Sequence, residues 1–289
     1  MLRATRERAG AADAAAETRT TVINPQAGWS FPRLREMVEN RDLIYFLAKK
    51  DIVVRYKQTA VGALWAVLQP VLLAAVFSIF LARRANLPSA DTPYGLFALT
   101  GMTLWLFIAT ALTACSQSTV TNTNLISKIY FPRIVIPVVA VLAPIIDFAI
   151  AFVVLVIALF AYGETPGPKI LLAPLAVGLA VVIVLGLGVW LSALLVRFRD
   201  VSHAVAFALL MLLFITPILY PLSLVPDQYQ LFYALNPLVG VLELFRWTVL
   251  PGAPEPGMAL VISLAAGFIV LFTGLAYFQR AERTFADII

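Results

Sequence analysis

Six apolar runs dominate the chain: residues 61–82, 93–127, 134–163, 170–196, 201–225 and 258–278. A helix of roughly 20 mostly apolar residues crosses the hydrocarbon core of a bilayer. Each run reaches that length once Asp147 in the third and His203 in the fifth are admitted. Lipid-exposed backbone must satisfy its own hydrogen bonds, which makes these runs helices rather than open strands. The expected fold is therefore all-α: a polytopic integral membrane protein with six transmembrane helices.

Composition agrees. Hydrophobic residues make up 61% of the 289 positions and charged residues only 13%, far less charge than the surface of a water-soluble domain of this size carries. The longest stretch outside the runs is the first sixty residues, too little for a large soluble catalytic domain. Cys115 is the single cysteine, so no intramolecular disulfide can form.

The net charge of +5 matters less than its placement. With the N-terminus in the cytoplasm, Lys49, Lys50, Arg55, Lys57, Lys128, Arg133, Arg197, Arg199, Arg280 and Arg283 flank spans on the inner side. Arg83, Arg84, Lys169 and Arg246 fall outside. The positive-inside rule then predicts both termini in the cytoplasm.

Residues 1–31 are Ala-, Arg- and Thr-rich, without the unbroken apolar core of a signal peptide, and read as a disordered cytoplasmic tail. Residues 32–59 follow as an amphipathic interface helix ahead of the membrane domain, 60–289. On that helix Leu34, Met37, Val38, Tyr45, Ala48 and Ile52 fall on one face at 100° per residue. Such a helix lies in the membrane plane, and either packs on the bundle or passes motion from a cytoplasmic partner into the first span.

Polar residues inside the apolar runs are the next signal. Thr103, Thr110, Thr113, Gln117, Thr121 and Asn124 share one helical face of the second run. They serve either as interhelical hydrogen-bonding groups or as a hydroxyl-rich pathway for a polar solute. Residues 122–130 then turn polar and end at Phe131-Pro132, since proline disfavours helix at the residue before it. They form a short element on the cytoplasmic side, an ordinary turn or a docking knob. Asp147, at depth in the third run, is costly there and serves as a hydrogen-bonding group or in a transport cycle. Between the fifth and sixth runs, residues 222–250 are too polar to cross and too apolar for water. They are expected to form re-entrant outer gate helices, with Glu243 and Arg246 paired three residues apart.

No P-loop, H-E-x-x-H, G-x-S-x-G or Cys/His cluster is present. The chain is expected to be a non-catalytic transmembrane subunit with no metal site and no cofactor of its own. Transport by such a chain draws on an ion gradient or on another polypeptide. A gradient-driven carrier would use Asp147. A membrane-embedded transferase would need a carboxylate or histidine constellation that the sequence lacks.

Lys50-Asp51-Ile52-Val53-Val54-Arg55-Tyr56-Lys57-Gln58-Thr59, followed by Gly62-Ala63-Leu64-Trp65 and Gln69-Pro70, resembles the opening of ABC-2 type polysaccharide export permeases. These are the transmembrane subunits of lipopolysaccharide O-antigen and teichoic acid ABC transporters. Leu125-Ile126-Ser127-Lys128-Ile129-Tyr130-Phe131-Pro132-Arg133, Arg197-Phe198-Arg199-Asp200, Thr216-Pro217-Ile218-Leu219-Tyr220-Pro221 and Leu235-Asn236-Pro237-Leu238 continue the likeness in order. It covers the chain from about Trp29 onward.

The resemblance implies a homodimer in the bacterial inner membrane, bound to two copies of a separate nucleotide-binding ATPase that holds ATP and Mg. It implies export of undecaprenyl-pyrophosphate-linked polysaccharide, O-antigen foremost, with teichoic acid or capsular polysaccharide as alternatives. No nucleic-acid partner is expected. The interface helix and the segment Asn124, Leu125, Ile126, Ser127, Lys128, Ile129 and Tyr130 would couple to the ATPase. Arg55, Lys57 and Arg133 would meet the pyrophosphate of the lipid headgroup. A glycan channel mixing polar and aromatic groups would draw on Trp65, Gln69, Phe77, Thr103, Trp105, Thr110, Gln117, Phe214 and Tyr220. Asn236, Pro237, Glu243 and Arg246 would belong to the outer gate.

Overall fold

The computed structural model describes residues 40–57, 62–82, 92–128 and 131–285. The tail, residues 32–39 of the expected interface helix, and Ile129 and Tyr130 of the expected coupling segment lie outside these residues. The described residues form helices and connecting turns, with no strand among them.

The helices are α1 (Arg41–Lys57), α2 (Leu64–Phe77), α3 (Tyr94–Thr121), α4 (Thr123–Lys128), α5 (Val135–Ala140), α6 (Leu142–Ala161), α7 (Ala173–Arg197), α8 (Val201–Ile215), α9 (Asp227–Ala234), α10 (Pro237–Val249) and α11 (Met258–Glu282). Four stretches are long and apolar enough to cross a membrane. They are α3, α5 with α6 as Val135–Ala161, α7 with its leading turn as Pro168–Arg197, and α11. They correspond to the second, third, fourth and sixth apolar runs.

The first and fifth runs fold into shorter helices. The described part of the first gives Leu64–Phe80, α2 widening into a π-helical turn at Ser78–Ala82. The fifth stops as a helix at Ile215, after 15 residues, about 22 Å of rise against a hydrocarbon core of about 30 Å. The cause is local. Pro217 excludes the helical conformation at the residue before it, and Thr216 is extended, with ψ at 137°. A second proline acts within the third run, where α5 and α6 part at Val141. Pro144 has no N–H to offer the carbonyl of Ala140, four residues back, and its ring crowds that oxygen.

Helix α3 is the central element. Its buried residues run from Tyr94 to Thr119, and it packs against α2, α5, α6, α7 and α10. A helix apolar on every side belongs in the middle of a bundle. Phe107 of α3, Phe148 and Phe152 of α6 and Phe245 of α10 join three helices, with ring centroids 5.4–6.1 Å apart.

Close backbone approach joins α7 to α11. A Cβ on Gly274 would lie 2.4 Å from the carbonyl oxygen of Gly186, and one on Gly186 would lie 2.8 Å from the backbone of Leu271. In hydrocarbon, association rests on packing rather than on exclusion of water, so small residues at a crossing stabilise it.

Candidate functional site

Two polar assemblies mark the ends of α3, a helix of 28 residues and so about 42 Å long. At the Asn122 end, α1 packs on α5 and α6. Its buried Leu47 packs with Ile126 of α4 and with Phe131, Val135, Ile136 and Val139, supported by Leu43, Ile44, Ala48 and Leu125. The Lys50 ammonium donates to Asn122 Oδ1 at 3.1 Å.

The packed face of α1 differs from the expected one. Tyr45 is 67% exposed, while Leu43, Ile44 and Leu47, joined by Ala48 from the expected face, carry the contact. Helix α1 is apolar on two sides, and the neighbours α4 and α5 select which of them is covered. Tyr45, Phe46, Val53 and Val54 remain outward.

The last turn of α1 reaches α6. Arg55 Nη2 pairs with Asp147 Oδ2 at 2.5 Å, and the Tyr56 hydroxyl donates to Asp147 Oδ1. The aspartate that looks isolated in its own helix thus has a cation and a phenol, both from α1. Burial, reinforced by the neighbouring carboxylate, pushes the Tyr56 hydroxyl up to about 12, so it stays a proton donor at neutral pH. Arg133 is also engaged: its guanidinium donates to the Glu282 carbonyl at the end of α11, and its backbone N–H to the Glu282 carboxylate at 3.4 Å. Lys57 is exposed.

Within α4, Ile126 is buried, whereas Asn124, Ser127 and Lys128 are exposed. Ile126 anchors the segment to α1, leaving the other three as its outward face. That end of the bundle therefore carries an apolar joint (α1, α4 and α5), an ion pair onto α6 and a row of exposed polar residues.

The opposite end is built around Arg246. Its side chain is buried and pairs with Glu243 at 2.9 Å, as the i,i+3 spacing predicts. Nη1 and Nη2 donate to the carbonyls of Pro217 and Ile218, each at 2.6 Å, and the guanidinium lies 3.9 Å from the centroid of the Phe97 ring. Gly101 is required there, since a Cβ would meet the Ile218 carbonyl at 2.5 Å. Arg246 is thus a tie between α10, α3 and the segment after α8, and its burial removes it from any count of loop charges.

Asn236 caps α10, its side chain accepting from Leu238 N–H at 3.1 Å and donating to Thr216 Oγ1 at 2.9 Å. Pro237 occupies the first turn, where its fixed φ costs nothing. The Ser263 hydroxyl on α11 donates to the Ala234 carbonyl at 2.9 Å and accepts from Gly240 N–H at 3.0 Å. A cavity of about 620 Å³ opens beside this cluster, lined by Phe97, Leu222, Leu231, Glu243, Arg246 and Met258 among others.

The expected channel residues are dispersed. Trp65, Gln69, Gln117 and Phe214 are exposed, Phe77, Thr110 and Tyr220 half-buried, and Thr103 and Trp105 buried. The threonine hydroxyls of α3 donate to their own helix: Thr103 to Leu99 at 2.8 Å, Thr110 to Leu106 at 2.7 Å, Thr113 to Ala109 at 2.8 Å and Thr121 to Gln117 at 3.0 Å. Such back-bonding occupies the donor and leaves the oxygen able to accept. Sequence reasoning missed the interhelical hydrogen bond between Thr119 and Ser192, 2.5 Å apart, because neither residue lies on the polar stripe. Among the described residues no cluster suited to a metal ion occurs.

A family model described as ABC-2 type transporter matches residues 42–250, which include Arg55, Asp147, Asn236 and Arg246. The chain belongs to the ABC-2 type transporter family. Within it, the chain is similar to the O-antigen export system permease protein RfbA of Klebsiella pneumoniae, 30% identical over 252 residues, which are 86% of this chain and 95% of that protein. A protein of the same name from Myxococcus xanthus is 29% identical over 262 residues, 88% and 98% of the two chains. The polysialic acid transport protein KpsM of Escherichia coli is 26% identical over 239 residues, 81% and 91% of the two. This ABC-2 chain is accordingly a membrane permease subunit.

Proposed function

We propose that this ABC-2 permease exports lipid-linked O-antigen polysaccharide across the bacterial inner membrane, driven by a separate ATPase. One observation carries the reading: near end-to-end likeness to O-antigen export permeases from two organisms. The chain works as a homodimer with two ATPase subunits, which bind ATP and Mg. Both termini lie in the cytoplasm, and the short helices α2 and α8 complete six membrane segments once the partner copy surrounds them. Helices α9 and α10 form the outer gate, with Asn236, Pro237, Glu243 and Arg246 holding its shape.

The proposed cycle runs from the inner face outward. Asn124, Ser127 and Lys128 present the outward face of α4 to the ATPase, and Ile126 transmits the load to α1. Arg55, Lys57 and Arg133 lie where a diphosphate headgroup arrives, as cations suited to its oxygens. Trp65, Gln69, Gln117 and Phe214 offer exposed aromatic and amide surface to a sugar polymer, which has polar edges and apolar C–H faces.

The test is deletion of the gene in its source organism. Loss of surface O-antigen with accumulation of polyprenyl-diphosphate-linked glycan inside the cell is expected, and a catalytically dead ATPase should reproduce it. Normal surface polysaccharide with no trapped glycan would overturn the proposal. The likeness to a polysialic acid transporter supports a second substrate, capsular polysaccharide, which the composition of the trapped glycan distinguishes.

A further inference from the structure

Asp147 is the feature that the export reading leaves unused. It sits in an apolar helix with its side chain 17% exposed, and both of its oxygens are taken by consecutive residues of α1. Arg55, by contrast, keeps 35% of its side chain exposed, so the guanidinium meets Asp147 while part of it stays open to an incoming anion. The same α1 is held at its other half by the apolar joint with α4 and α5 and by the Lys50–Asn122 hydrogen bond. Helix α1 is therefore tied to the expected ATPase-facing segment at one half and to a membrane span at the other.

We propose that Arg55, Tyr56 and Asp147 form a releasable latch, opened when a lipid diphosphate headgroup takes the Arg55 guanidinium away from Asp147. The inference rests on the headgroup reading of Arg55 and adds its regulation. A diphosphate carries more charge than a carboxylate and offers oxygens that match the planar guanidinium fork. Exchange of one anion for the other keeps the arginine paired throughout. Asp147 then keeps the Tyr56 hydroxyl as a donor, so the exchange does not strand a bare carboxylate in an apolar span, which would be costly. Loss of the Arg55–Asp147 contact leaves the Tyr56 hydrogen bond as the remaining one of these two ties, so the last turn of α1 can pivot about it while Leu47 still holds its other half to α4. Headgroup arrival thereby becomes a movement of α1 relative to the span. Asp147 and Tyr56 are positioning residues that act through Arg55.

The test uses the full chain in lipid nanodiscs, with farnesyl diphosphate as the probe and farnesol as the control. Wild type is expected to bind the diphosphate and not the alcohol. Asp147→Asn removes the competing anion, so affinity for the diphosphate should rise about fivefold, the scale of one partly exposed ion pair. Tyr56→Phe should act in the opposite direction by a similar factor, because Arg55 is then the remaining one of the two α1 partners of Asp147. A residue needed only for folding would move both variants the same way.

Spin labels at Val54→Cys and Ala149→Cys report the latch directly without altering it, and farnesyl diphosphate should lengthen that distance. If Arg55→Gln abolishes binding but Asp147→Asn leaves it unchanged and the labels do not move, the latch is wrong and the headgroup reading stands. If Arg55→Gln binds like wild type, Arg55 is no headgroup ligand and both fall.

Discussion

Arg246 shows how one side chain can organise a region that local sequence describes only as irregular. Its guanidinium holds two carbonyls of the segment after α8, pairs with Glu243 and lies over Phe97. Replacing it with methionine leaves a part-buried carboxylate and two carbonyl oxygens without those donors, a loss of about 3 kcal/mol. A marked fall in the melting temperature of the detergent-solubilised protein checks this. Glu243→Gln, which keeps a hydrogen-bonding side chain, should cost less.

At the other end, Ile126→Asp and Lys128→Glu separate two roles within one short helix. The first buries a charge in the α1 joint and should destabilise the chain itself. The second alters only an exposed residue and should leave thermal stability within about 0.5 kcal/mol while weakening co-purification of the ATPase. Intact ATPase binding by Lys128→Glu would remove that residue from the proposed coupling face.

At the scale of elements, the α7–α11 crossing depends on glycine rather than on side-chain complementarity. Gly274→Val has no space to enter, since the Gly186 carbonyl occupies the position of its Cβ, and overpacking of this kind costs about 1–3 kcal/mol. Reduced yield of folded protein in membranes is the expected result, and an unchanged melting temperature would contradict the crossing. Gly167, whose Cβ meets nothing within 4 Å, is the matched control. Helices α9 and α10 follow the same logic of contacts. Leu238, Val239, Val241, Leu242 and Leu244 are buried, so cysteines there are shielded from either side. Leu231 and Phe232 of α9 are exposed. Cysteines at these two positions should react with an impermeant thiol reagent added from outside, against a background in which native Cys115 is buried.

For the whole molecule, α2 and α8 leave apolar faces without packing partners among the described residues of the single copy. Leu64, Trp65, Leu72 and Val76 of α2, and Phe207, Leu210, Phe214 and Ile215 of α8, are exposed. Lipid tails or a second copy of the chain can cover such faces, and the homodimer proposal predicts the second copy. Disulfide cross-linking between copies carrying single cysteines at Trp65 or Phe214 tests this: a covalent dimer in membranes is the expected outcome.

Sequence by itself determined that this is a helical membrane protein. An apolar run must become a helix in lipid whatever it packs against, and the prolines at 144 and 217 break helices through their own covalent geometry. The Glu243–Arg246 pair was legible for the same reason, because helical spacing alone brings i and i+3 together. Tertiary structure decided the rest. Tyr56 and Asp147 are 91 positions apart, and Arg246 and Pro217 are 29 apart. No local period reports such meetings. The buried face of α1 was likewise settled by α4 and α5, since a helix apolar on two sides has no preference of its own. Four apolar runs became full-length spans, and the fifth became a short helix because proline position, rather than hydropathy, set where it ends.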